Sequence, residues 1–304
     1  MLDDLRRGLW KIRQRFPLAN NLYESVRGRK FPIYLEFPIH PAPRYGYTRP
    51  RHARIHALLE RAEPIQRRHL ESFLAFRRDF EAVPAHAAPE RPEQPHWVNG
   101  TLPLLDAIAL YGFIALNNPR RYVEIGSGNS TKFARAAIRR HGLKTTITSI
   151  DPHPRAEVDA LCDEVKREVL EDQDLGIFSE LRSGDVVFLD GSHCAFQNSD
   201  VTVFFLEVLP SLAEGVWVQI HDINWPRDYG PETVDRYFSE QYMLGAYLLG
   251  GGGNMEIQLA NHYVFRDSEL ISIVEPMLAG LPELRGVERI GASFWFKIKA
   301  SAAG

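Results

Sequence analysis

The stretch Val123-Glu124-Ile125-Gly126-Ser127-Gly128-Asn129-Ser130-Thr131 decides the fold. RYVEIG at 121–126 is a short apolar run ending in glycine, and SGNSTKFARAAIRR continues it with Ser/Thr at the start of a helical pattern. This is a strand, a turn and a helix. Gly126 and Gly128 let a backbone approach a ligand closely, and the start of the next helix presents free N–H groups to an anion. A dinucleotide fingerprint would put a third glycine at position 131, where Thr131 stands.

The same texture continues downstream. TTITSID (145–151) is a β-branched run ending in Asp151. VKREVL (165–170) reads as a third strand, DVVFLD (185–190) as a buried strand, and GVWVQIHD (215–222) as another. Residues 255–265 and 292–299 also read as strands. Helical patterns lie between these runs, at 101–117, 155–163, 174–181, 201–212, 231–248 and 267–279. The alternation predicts an α/β fold, a mostly parallel sheet with helices on both faces. Polar residues fall where strands stop, at Glu124–Gly128, Asp151, Asp190–His193 and His221–Asp222. Ligands of open α/β sheets bind outside the carboxyl ends of the strands, so these four ends predict one site.

VEIGSGNST resembles the E-x-G-x-G motif of class I S-adenosylmethionine-dependent methyltransferases, and the resemblance spans roughly residues 97–299. It implies a Rossmann-like methyltransferase sheet, with Glu124, Gly126, Gly128 and Ser130 at the cofactor. It also implies that Asp151 holds the ribose hydroxyls and that Asp172 lies near the adenine amine, with Glu171 and Gln173 as alternatives. Asp190-Gly191-Ser192-His193 and His221-Asp222-Ile223 resemble the D-G-x-H and H-D-I pair of sugar and macrolide O-methyltransferases. In that branch Asp190, His221 and Asp222 would hold a divalent metal, and His193 would be the catalytic base, titrating nominally near pH 6.5. Magnesium prefers oxygen ligands, so His221 shifts the preference toward manganese or zinc, or supports the ligands from behind. The reaction implied is metal-assisted O-methylation of a sugar, glycan or glycosylated natural product. A nucleotide-dependent oxidoreductase and a non-catalytic S-adenosylmethionine-binding module are the alternatives.

The flanks add an uneven charge. Of 304 residues, the first 100 hold 18 Lys/Arg against 11 Asp/Glu, whereas the whole chain carries a net charge of −3. No global basic field argues for nucleic acid. The basic front is a solvated face, or a surface for an anionic partner. Leu2, Leu5, Leu9, Ile12 and Phe16 recur at helical spacing among arginines. Such a helix packs on protein, within the chain or in a homo-oligomer, or lies on an anionic membrane. Prolines at 32–50 and 84–95 mark connectors, and a helix over 52–82 is expected to break near Pro64. These features divide the chain into a basic helical extension, 1–96, and a catalytic domain, 97–304. Two cysteines, no leader-like start and no run of roughly 18 apolar residues predict a cytoplasmic protein.

Overall fold

The computed structural model describes residues 23, 25–27, 36–37, 39–154, 156–251 and 254–300. The membrane or packing helix expected over 1–16 lies outside them. Two compact units separate at Pro41. In the first, Arg27 stacks 5.4 Å from the Tyr23 ring centroid and donates to its hydroxyl.

The second unit, Ala42–Gly304, is built on seven strands: β1 Arg121–Ile125, β2 Thr146–Ile150, β3 Glu164–Lys166, β4 Val186–Leu189, β5 Trp217–Ile220, β6 Met255–Ala260 and β7 Phe294–Ile298. Their order is β3-β2-β1-β4-β5-β7-β6. Strands β1 to β5 run parallel, and β7 is antiparallel to both β5 and β6. This is the mostly parallel, Rossmann-like sheet expected from the sequence. Strands β1, β4 and β5 are almost entirely buried, which explains why they read as unbroken apolar runs. The order reverses at β1, whose neighbours are β2 and β4, and a crevice opens at such a switch point.

The long helices are α1 Ala53–Phe73, α2 Leu104–Asn117, α3 Asn129–His141, α4 Glu240–Leu249 and α5 Ser268–Ala279. Helix α1 runs through Pro64 without the expected break. Its buried face, Ile55, Leu59, Ala62, Gln66, Leu70 and Phe73, packs on β6 and α5 and offsets the missing N–H. Gln66 fixes the contact, accepting from Ala260 N at 3.0 Å and donating to Leu59 O at 3.1 Å. The boundary expected near residue 96 therefore falls inside a compact unit, because Ile55 to Phe80 share one core with the sheet. The strand expected over 255–265 stops at Ala260, and Asn261–Val264 turn into a helix. No helix among the described residues is long and apolar enough to cross a membrane.

Two devices shape the turn after β1. Gly126 has φ +81°, and a Cβ there would stand 1.9 Å from the Asp190 carbonyl oxygen. Glu124 is fully buried, accepting from Tyr122 Oη at 3.0 Å and Thr131 Oγ1 at 2.5 Å, while Thr131 Oγ1 accepts from Gly128 N at 3.1 Å. Thr131, standing where a third glycine would be, thus ties the turn to a carboxylate beneath it.

Burial pushes the Glu124 carboxyl up to about 7, against the pull of its hydrogen bonds. A raised carboxyl pKa means that the folded state holds this proton more tightly than the unfolded chain. Its contribution to stability is therefore fully present below the ordinary value of 4.5 and is lost as pH rises through about 7. Glu124→Gln should flatten the stability-versus-pH curve over that window by up to about 3 kcal/mol relative to the native protein. Urea denaturation at several pH values checks it, and identical slopes for both proteins would contradict the assignment.

Candidate active site

The strand ends converge because the ladder continues one residue past each strand. Gly126 N donates to Ile150 O at 2.9 Å, Asp190 N to Ile125 O at 2.9 Å, His221 N to Leu189 O at 2.9 Å, and Asp151 N to Lys166 O at 3.0 Å. Gly126, Asp151, Asp190 and His221 consequently stand in one row along the sheet edge. Above the row is a cleft of about 510 Å³, lined by Gly126, Gly128, Ser130, Asp151, Glu171 and Asp190 among others.

The cleft has the features of a cofactor seat. A Cβ on Gly128 would meet nothing within 4 Å, and its φ of 172° demands no glycine. The space beside its Cα is open. Asp151 is set by two backbone amides, accepting from Ser127 N at 2.7 Å and His153 N at 2.8 Å. Each carboxylate oxygen keeps a lone pair for a ligand hydroxyl. Glu171 lines the cleft with Oε2 buried and unpaired, whereas Asp172 is exposed and outside it. The acid expected at position 172 is therefore better placed at 171, because the turn at Leu170–Asp172 aims the earlier residue inward. Glu124 also lies outside the lining and acts from beneath the turn.

Next to the cleft is a cluster of acids and histidines. Ligand atoms of Asp190, His193 and Asp222 all lie within 4.8 Å of one another. His193 Nε2 is 3.3 Å from Asp190 Oδ1 and 3.5 Å from Asp222 Oδ2, and its Nδ1 is hydrogen-bonded to Glu240 Oε2 at 2.9 Å. His193 and Asp222 both occupy the left-handed region, with φ +62° and +53°. Side chains rarely adopt that region without a compensating environment. The N-terminus of α4 supplies it for His193, whose carbonyl accepts from Ser239 N and Glu240 N.

His221 does not join the trio. It is 2% exposed, with Nε2 3.3 Å from Asp106 Oδ2 and Nδ1 3.2 Å from Asp222 Oδ1. The first approach is an ion-pair separation without hydrogen-bond alignment. Asp106 itself accepts from Asn261 Nδ2, Ala292 N and Ser293 N. It anchors His221, and His221 orients Asp222. The structure thus places His193, expected as a base, in one trio with Asp190 and Asp222, and His221, expected as a ligand, behind that trio.

Charge follows the geometry. Burial opposes charge on both rings, but the surrounding carboxylates outweigh it. Asp190 and Glu240 lead in pushing His193 up to about 10, and Asp190 and Asp106 hold His221 well above its ordinary value. Burial likewise opposes the Asp190 and Asp222 charges, and the two histidines hold both carboxyls below the ordinary range. The surrounding carboxylates therefore favour the protonated form of His193. The expected titration near 6.5 does not describe this arrangement. Glu240 escaped the sequence reading because it is 47 residues from His193, inside a pattern that reads only as helix. Of the residues before the first strand, Trp97 is core and Asn99 caps the turn to Thr101 and Leu102 through its Oδ1.

Residues 123–223 match a family model described as a methyltransferase domain. No curated protein matches the chain. Among solved structures, the chain is similar to the S-adenosylhomocysteine-bound methyltransferase PaMTH1 of Podospora anserina (13% identity, TM-score 0.39, covering 76% of this chain and 88% of that one). It is also similar to an O-methyltransferase from Bacillus cereus in complex with S-adenosylhomocysteine (13%, 0.37, 76% and 90%). A third is the O-methyltransferase TomG of Streptomyces achromogenes, involved in tomaymycin synthesis, in complex with S-adenosylmethionine (14%, 0.30, 76% and 90%). These likenesses are loose, and the assignment rests on the family match and the sheet order. Together they give residues 123–223 as a methyltransferase domain of the class I fold, whose enzymes take their methyl group from S-adenosylmethionine.

Proposed function

We propose that the chain is an S-adenosylmethionine-dependent O-methyltransferase acting on a hydroxyl of a sugar, glycan or glycosylated natural product. One observation carries the reading: a cleft at the switch point combines open space at Gly128 with an unpaired buried Glu171, and shares Asp190 with an acid–histidine cluster. Gly126, Gly128 and Ser130 would seat the methionine end of the donor. Asp151 would accept from the ribose hydroxyls and Glu171 from the adenine amine. Holding donor and acceptor in line is itself a large part of the acceleration. At the rim, the exposed Phe196 ring beside Ser192 and Asn198 offers an apolar face and polar groups, the combination a sugar ring needs.

The cluster fits a divalent cation. Asp190 and Asp222 would hold it through their carboxylate oxygens, donors that suit magnesium and manganese and also serve zinc, and His193 would stay outside the coordination with Nε2 free. When bound, such an ion lowers the pKa of a nearby hydroxyl. His193 is the proposed proton acceptor. Its Nδ1 is fixed by Glu240, the way a carboxylate orients a catalytic imidazole. Commitment of Asp190 and Asp222 to a cation would remove two of the three anions that keep the ring protonated.

Binding is tested first. S-adenosylhomocysteine should raise the melting temperature by mass action on the folded state. Asp151→Ala should weaken it about tenfold to a hundredfold, the worth of a charged acceptor. Gly128→Val should abolish binding by filling the open space. A melting shift with NAD and none with S-adenosylhomocysteine would overturn the reading in favour of the oxidoreductase. Binding without turnover on any hydroxyl acceptor would leave the non-catalytic module.

Catalysis is tested by chelation and restoration. Turnover should vanish in chelator and return with Mg²⁺, Mn²⁺ or Zn²⁺. Asp222→Ala should cut the rate strongly while leaving S-adenosylhomocysteine affinity nearly intact, and His193→Ala should cost about 10²–10⁴-fold. Full activity in chelator, with metal analysis showing none retained, would remove the cation from the mechanism.

A further inference from the structure

A second cavity of about 520 Å³ lies on the flank of α3, away from the cleft, and the two share no lining residue. Its wall carries Lys132, Arg135, Arg139 and Arg140 from α3 and Arg91 from the connector. Residues 132, 135 and 139 recur at spacings of three and four and therefore share one helix face. Five cations thus meet two acids, Asp79 and Glu93.

The acids do not balance them. Asp79 is already used twice, accepting from Arg140 Nε at 2.6 Å and facing His141 Nε2 at 3.1 Å. Arg135 is committed to Asp163 at 2.6 Å and to the Leu161 carbonyl. Lys132 is different. It is 7% exposed, yet among the described residues it makes no hydrogen bond and no ion pair. Glu93 and Glu157 act on it only from beyond ion-pair distance, and desolvation lowers its ammonium pKa. Lysine is rarely so enclosed without an anion beside it. Most of the Lys132 side chain is covered, its ammonium is not among the buried unpartnered atoms, and the residue lines this cavity. Arg91 and Arg139 are exposed on the same wall, also without an ion pair among the described residues. The rest of the lining is Ala82, Val83, Pro95 and Ala136, which are apolar, together with Gln94 and Tyr111.

We propose that this cavity is a binding site for the phosphoryl group of a small molecule, with Lys132, Arg139 and Arg91 as its counter-charges. A phosphoryl dianion supplies the acceptor oxygens that Lys132 lacks and can span several cationic side chains. The site stands apart from the methyl-transfer reading and does not depend on it.

The test is calorimetric titration of the full chain with inorganic phosphate and with phenyl phosphate, at constant ionic strength. Both should bind saturably. Phenyl phosphate should bind more tightly if the occupant is an organic ester, because Val83 and Pro95 offer it an apolar wall. Equal affinities would assign the site to the free ion. Lys132→Met should weaken binding about tenfold or more, the loss of one charge-assisted contact. Arg139→Ala, on the exposed side of the helix, should weaken it by a smaller factor without touching the fold. S-adenosylhomocysteine affinity should be unchanged in both. Phenyl phosphate should also protect Lys132 from acetylation, read by mass spectrometry. Absence of saturable binding, or unchanged affinity in both folded variants, would overturn the proposal.

Discussion

The Asp190 carbonyl oxygen lies 1.9 Å from where a side chain at position 126 would begin, and much of the site depends on that approach. Only glycine lets the ends of β1 and β4 come so close while also tolerating φ +81°. The approach sets Asp190 beside the turn that would hold the methyl donor. Adjacent strands then carry Asp151 to one side of it and His221–Asp222 to the other. Glu124 and Thr131 brace the turn from below, so its shape does not depend on a ligand being present.

The acid–histidine cluster is costly for the fold. His193, His221 and Glu240 are buried, and His193 and Asp222 adopt left-handed backbone conformations. Such features persist when the surroundings over-determine them. Here Asp106 does so on one side, through Asn261 and the 292–293 backbone, and the N-terminus of α4 does so on the other. Replacing these groups by well-packed apolar residues would often cost a fold little. A charged cluster beside a cleft with which it shares Asp190, in place of apolar packing, is what a reactive site rather than a core would require.

Much of this was legible in the sequence because period and punctuation are local. The apolar runs ending at Ile125, Ile150, Leu189 and Ile220 mark the parallel strands, and the residues just beyond them form the row at the sheet edge on which the candidate site is built. Long-range partnership was not legible. Nothing near His193 announces Glu240, and nothing near His221 announces Asp106, since each pair is joined only by the packing of a helix on the sheet. The choice between Glu171 and Asp172 turned on the direction of a single turn of 3₁₀ helix, which sequence pattern does not resolve. Pro64 misled because tertiary burial of α1 outweighs the loss of one helical hydrogen bond.

In the proposed function the switch-point cleft would seat S-adenosylmethionine with its methyl group directed toward the Asp190–His193–Asp222 cluster. A crystal structure of the complex with S-adenosylhomocysteine tests it most directly. The ribose hydroxyls are expected on Asp151, the adenine amine near Glu171, the methionine end against Gly126 and Gly128, and the sulfur on the side of the cleft nearest Asp190. A ligand lodged elsewhere, or one in this cleft with its sulfur turned away from Asp190, would contradict it.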